Sequence, residues 1–106
     1  MGILDTLFGG KKKSEELSRM IQNGAAVIDV RSQSEFASGH VQGSLNIPLG
    51  QIPHKIAKLK KLKKPIVACC ASGTRSAAAV KQLNTHGLQA YNGGSWNRVQ
   101  KIIALN

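Results

Sequence analysis

The sequence predicts an α/β domain, a mostly parallel central sheet with helices on both faces. Two apolar runs, Ala25-Ala26-Val27-Ile28-Asp29-Val30 and Ile66-Val67-Ala68-Cys69-Cys70, lack the alternation of a half-exposed strand, as strands buried on both faces do. Between and after them, apolar residues fall at helical spacing, as in Ile52, Ile56, Leu59 and Leu62, or Trp96, Val99, Ile102 and Ile103. Turn and cap signals (Asn23-Gly24, Pro65, Gly87) separate the two kinds of segment.

The elements follow in order. Ser14 is placed to cap a helix whose first turn holds Glu15 and Glu16 and whose apolar stripe is Leu17, Met20 and Ile21. After the strand ending near Val30, Ser32-Gln33-Ser34-Glu35 is a capping-box pattern for a short helix carrying Phe36. Residues 51–64 form an amphipathic helix, with Pro53 tolerated in its first turn and an exit before Pro65. A further helix runs through Ala77, Val80 and Leu83 to Gly87. Leu88-Gln89-Ala90-Tyr91 reads as a short strand, and Asn92-Gly93-Gly94 as the turn into the last helix.

A chain of 106 residues holds one core, and the reading assigns residues 14–106 to it. Residues 1–13 form an apolar and basic leader: Ile3, Leu4, Leu7 and Phe8 share a helical face, followed by Lys11, Lys12 and Lys13. The basic residues follow the apolar patch, the reverse of a secretory signal, while Met1-Gly2-x-x-x-Thr6 fits the myristoylation pattern. No apolar run approaches the roughly 20 residues of a membrane span. Two adjacent cysteines cannot staple distant segments, which favours a reducing, cytoplasmic setting.

The formal net charge is +10, and no acidic residue follows Glu35. Lys55, Lys58, Lys60, Lys61, Lys63 and Lys64 cluster on one helix and its exit. Such a field attracts anions: an anionic substrate, an acidic protein or an anionic membrane surface. With four aromatics, none interleaved with basic clusters, a nucleic-acid partner is not expected.

The chemistry gathers at Cys69-Cys70-Ala71-Ser72-Gly73-Thr74-Arg75-Ser76. A thiol between the end of a strand and the start of a helix meets unpaired backbone N–H groups, and the helix dipole favours the thiolate. Both cysteines could instead be small buried side chains, or join in a vicinal disulfide. From Cys69, five residues separate the thiol from Arg75, the spacing of cysteine-dependent phosphatases. From Cys70, the run Cys-Ala-Ser-Gly-Thr-Arg-Ser resembles the loop Cys-x-x-Gly-x-Arg-Ser of single-domain rhodaneses, a sulfurtransferase family.

A second stretch carries the same resemblance. Asp29-x-Arg31, Glu35-Phe36 and Gly39-His40-Val41-Gln42-Gly43-Ser44-Leu45-Asn46-Ile47-Pro48 follow the other rhodanese hallmark nearly position for position, and Gly93-Gly94-x-Trp96 is similar to its end pattern. The resemblance implies a rhodanese-like fold and a persulfide-forming nucleophile at Cys70, the residue that ends its strand. Cys69, one residue earlier, is expected to pack beside the sheet. Amides of Ala71, Ser72, Gly73, Thr74, Arg75 and Ser76 would hold the charged sulfur. Arg75 would draw in an anionic donor such as thiosulfate, and Ser72 and Thr74 would add hydrogen bonds. Asp29 and Arg31 are expected to pair and fix loop geometry. His40 is read as loop scaffold and not as a base. His54 and His86 have no partner pattern, and neither a metal nor an organic cofactor is expected. The expected partners are an anionic sulfur donor and a thiol or cyanide acceptor, with the protein a monomer. The competing readings are a non-catalytic docking module and a phosphatase using Cys69 and Arg75; the latter lacks a carboxylic acid after Glu35.

Overall fold

A computed structural model describes residues 13–105. The leader reading, Lys13 apart, therefore lies outside the described residues. Strand β1 (Ala26–Asp29) and strand β2 (Leu45–Asn46) precede strand β3 (Ile66–Cys70), and strand β4 (Ala90–Ser95) follows it. All five residues of β3 are buried. It pairs in parallel with β1, from Ala26 opposite Ile66 to Asp29 opposite Cys69. On its other side it pairs in parallel with β4. With β2 on the outer edge of β1, the sheet order is β2-β1-β3-β4 and every pairing is parallel.

The helices are α1 (Ser14–Gln22), α2 (Gln33–Ala37), α3 (Ile52–Leu62, entered through a 3₁₀ turn at Leu49–Gln51), α4 (Thr74–Thr85) and α5 (Trp96–Ala104). Side chains alternate across a strand, so each face of the sheet has its own core. Ile28, Ile66, Ala68 and Cys70 pack with Ile52 and Leu59 of α3 and Ala79, Val80 and Leu83 of α4. Val27, Val67 and Cys69 pack with Leu17 of α1 and Val99 and Ile102 of α5. Helices thus cover both faces. None is long and apolar enough to cross a membrane among the described residues.

Two local expectations are corrected. Ser14 is the first helical residue and not the cap. Lys13 holds the cap position with extended backbone, its carbonyl accepts from the Leu17 N–H at 3.0 Å, and its own N–H donates to Glu16 Oε1 at 3.4 Å. The helix starts one residue early because the Glu16 carboxylate satisfies that amide.

Asn92-Gly93-Gly94, expected as a turn, is none. It continues β4, and the ladder shifts register between Ala68 and Cys69, with Gly94 at φ +84°. That is a bulge, for which a left-handed glycine is the natural residue. Gly93 is required for space. A β-carbon there would lie 2.8 Å from Val99 Cγ2, 2.9 Å from Val67 Cγ1 and 3.2 Å from the Ala68 carbonyl oxygen. The same residue types that make a turn in solution here let a strand pass close under α5.

Gly93→Ala should therefore destabilise the fold by about 1–3 kcal/mol through overpacking. Urea unfolding measures this, and an unchanged midpoint would show that the valines yield freely.

Candidate active site

Because β3 ends at Cys70 and α4 begins at Thr74, the three residues between must turn the chain and face helix N–H groups inward. Gly73 makes the turn in the left-handed region at φ +98°. Its N–H then donates to Cys70 Sγ at 3.0 Å, and the Ser76 N–H donates to the same sulfur at 3.4 Å. Ser76 Oγ lies 3.4 Å from Sγ. Burial alone pushes the Cys70 thiol up; bonds from the Ser76 hydroxyl and from the amides of Ser76, Ser72 and Gly73 outweigh it, and the thiol lies below its ordinary value. Cys69 has no such ring. Burial, reinforced by the Asp29 carboxylate, pushes it up to about 12. Both cysteines are free and buried, on opposite faces of the sheet.

The other loop residues divide by position. Ala71, Ser72 and Thr74 are exposed, and the Ser72 and Thr74 hydroxyls sit 3.4 Å from each other, while the hydroxyl at the sulfur is that of Ser76. Arg75 reaches across to α2, where Nη1 meets Glu35 Oε1 at 2.7 Å and Nη2 meets Oε2 at 3.0 Å. Its cation clasps the loop to α2 and is partly neutralised there. The Arg75 hydrogen bonds, aided by the Ser32 amide, lower Glu35 from 4.5 to about 2. Its folded value lies below the unfolded one, so the clasp is complete above about pH 4.5 and fades as pH falls towards 2.

Asp29 and Arg31 form a buried pair, Nε at 3.0 Å from both carboxylate oxygens and Nη2 at 2.7 Å from Oδ2. Arg31 Nη2 also donates to the Gly39 carbonyl at 2.6 Å, and the guanidinium stacks 4.9 Å over the Trp96 ring. One cation thus ties the end of β1 to the Gly39 loop and to α5. Exposed His40 stacks on Phe36 at 3.7 Å, and its Nδ1 lies 2.7 Å from the Phe36 carbonyl, which can only accept. The ring is held as part of that loop.

Two asparagines complete the site, and the sequence reading gave neither a role there. Asn46 Nδ2 donates to the Asp29 and Arg31 carbonyls at 3.0 and 2.9 Å. Asn92, nearly fully buried, accepts the Ser76 hydroxyl at 2.7 Å and donates to the Gly73 carbonyl at 3.1 Å. Its place before two glycines read as a turn, which concealed a side chain pointing into the site. No three His, Cys, Asp or Glu side chains gather as a metal set among the described residues.

A strand-end thiol held by amides at a helix start, on a parallel α/β sheet, is the arrangement the chain builds at Cys70. The rhodanese-like domain family model matches residues 13–100, and the chain belongs to that family. It is 35% identical over 83 residues to the uncharacterized protein YqhL of Bacillus subtilis, covering 77% of this chain and 65% of that one. It is 35% identical over 65 residues to the thiosulfate sulfurtransferase GlpE of Pseudomonas aeruginosa, covering 61% of this chain and 58% of GlpE. The chain thus spans less than two thirds of these curated relatives. The human single-domain sulfurtransferase TSTD1 superposes with a TM-score of 0.70 at 27% identity, covering 86% of this chain and 95% of that one.

In the folded chain at neutral pH, iodoacetamide should modify Cys70 and spare Cys69, with fragment masses placing the label. Modification of Cys69 first would contradict the ordering of the two thiols.

Proposed function

We propose that this protein is a sulfurtransferase that carries sulfane sulfur as a persulfide on Cys70. The observation that carries this reading is the ring of donors on Cys70 Sγ, which offers its hydrogen bonds to a sulfur anion. In the first step the thiolate attacks the outer sulfur of thiosulfate. The new S–S bond forms as the old one breaks, the electron pair leaves with sulfite, and the enzyme holds Cys70–S–S⁻. In the second step a cyanide or thiolate acceptor attacks the outer sulfur and Cys70 departs as thiolate. Charge is conserved in both steps, and neither needs a general base, in keeping with His40 bound to the Phe36 carbonyl.

The donor is anionic in this reading, guided by the amides of the loop and by the lysines of α3, where Lys58, Lys60 and Lys61 are exposed. The same face would suit an acidic protein acceptor. A phosphatase built on Cys69 is disfavoured, because that thiol faces α1 and α5 and is held protonated. A module that only docks would leave the donor ring around Cys70 without a use.

Intact mass after incubation with thiosulfate tests the proposal. The wild type should gain about 32 Da, one sulfur atom, and Cys70→Ser should gain nothing. A folded, reduced wild type that takes up no sulfur from thiosulfate or from a persulfide donor would refute it.

A further inference from the structure

Asn92 makes contacts that fix the orientation of its own amide and so the direction of its hydrogen bond with Ser76. The Gly94 N–H can only donate, and it lies 2.9 Å from Asn92 Oδ1. The Gly73 carbonyl can only accept, and it lies 3.1 Å from Asn92 Nδ2. The amide therefore has one orientation, with its oxygen towards Ser76. At 2.7 Å the Ser76 hydroxyl must be the donor to that oxygen. A hydroxyl has a single hydrogen, so while it points at Asn92 it cannot also point at Cys70 Sγ, 3.4 Å away.

Two arrangements follow, one for each charge state of the sulfur. When Cys70 is a thiol, its S–H donates to Ser76 Oγ and the hydroxyl donates to Asn92. When Cys70 is a thiolate, its proton has left to solvent and the sulfur needs donors. The hydroxyl then rotates, keeping its own hydrogen, and donates to Sγ, while Ser76 Oγ and Asn92 Oδ1, no longer bridged by a hydrogen, move apart from 2.7 Å. Asn92 Oδ1 is not orphaned by this rotation, because it keeps the Gly94 N–H.

We propose that Asn92 is a positioning residue that makes the Ser76 hydroxyl a two-position donor. It is parked on the Asn92 oxygen while Cys70 Sγ is uncharged and turned onto Sγ while Cys70 is a thiolate. This rests on Cys70 being the nucleophile. In the persulfide the charge sits on the outer sulfur, so the hydroxyl returns to Asn92 after the first transfer and swings back after the second. The buried site keeps its polar atoms paired in both states, and Asn92 accordingly holds the thiol value higher than a free Ser76 hydroxyl would.

Charged and titratable groups around Cys70 come from several elements: Cys69 on β3, Arg75 on α4 with Glu35 on α2, and the Asp29–Arg31 pair after β1. None is altered by the test, so their effect cancels between variants.

The thiolate midpoint is read from ultraviolet thiolate absorbance against pH, taking Cys70→Ser as baseline, for Asn92→Ala, Ser76→Ala and the double variant. Ser76→Ala should raise the midpoint by about one pH unit, the loss of one hydrogen bond to an anion. Asn92→Ala should shift the midpoint downward relative to its effect in the Ser76→Ala background. Equal shifts in the two backgrounds, or no rise in Ser76→Ala, would overturn the proposal; a merely structural asparagine gives equal shifts. Should Asn92→Ala not fold, isosteric Asn92→Asp replaces it. Its carboxylate grips the hydroxyl more tightly, so it should raise the midpoint more with the hydroxyl present than in Ser76→Ala, and equal shifts again refute. No sulfur transfer is measured, so this outcome is independent of whether thiosulfate loads the enzyme.

Discussion

The structure depends on β3 being covered on both faces and hydrogen-bonded on both edges. A central parallel strand can be all apolar only if helices bury each side, and the five residues of β3 meet that condition completely. Residues from Ile66 to Cys69 are paired on both edges, and Cys70 is held by its pairing with Ser95 and by its burial. The loop that follows spans three residues before α4 begins, so amide positions around the sulfur are set by two rigid elements.

Around that fixed point, the remaining contacts tie the surrounding loops. Arg31 binds Asp29, Gly39 and the face of Trp96, linking β1, the loop before β2 and α5. Arg75 and Glu35 join α4 to α2. These two arginines do similar work in different settings. The first is buried and its pairing is obligatory, since removal of one partner would strand a charge out of water. The second is more than a third exposed on both sides, so it orients the loop while contributing little to global stability.

Much of this was legible in the chain. Apolar runs without alternation gave β1 and β3, helical spacing gave α3 and α5, and Ser32 with Glu35 capped α2 with the expected reciprocal bonds. The position of Cys70 at a strand end followed from counting along β3. What was not legible depends on tertiary approach. Gly93 and Gly94 have the local signature of a turn; the pairing of β4 with β3 makes them strand residues, and the closeness of Val67 and Val99 requires a glycine at 93. Asn92 was lost with them. Glu35 was recognisable as a cap, but its second bond, to a residue 40 positions later, has no local signal. Ser14 failed as a cap because Glu16 had already satisfied the amide of Lys13.

The placement of the two cysteines has a consequence for the proposed sulfur carrier. In many thiol enzymes a neighbouring cysteine resolves the intermediate, closing a disulfide and ejecting the cargo. Here the adjacent residue looks the other way through the sheet, packed among Leu17, Val99 and Ile102. For Cys69 to reach Cys70, the middle strand would have to twist out of its ladder. Under the proposed function, a sulfur atom loaded on Cys70 would be shielded from self-inflicted discharge and would leave with a molecule that comes to collect it.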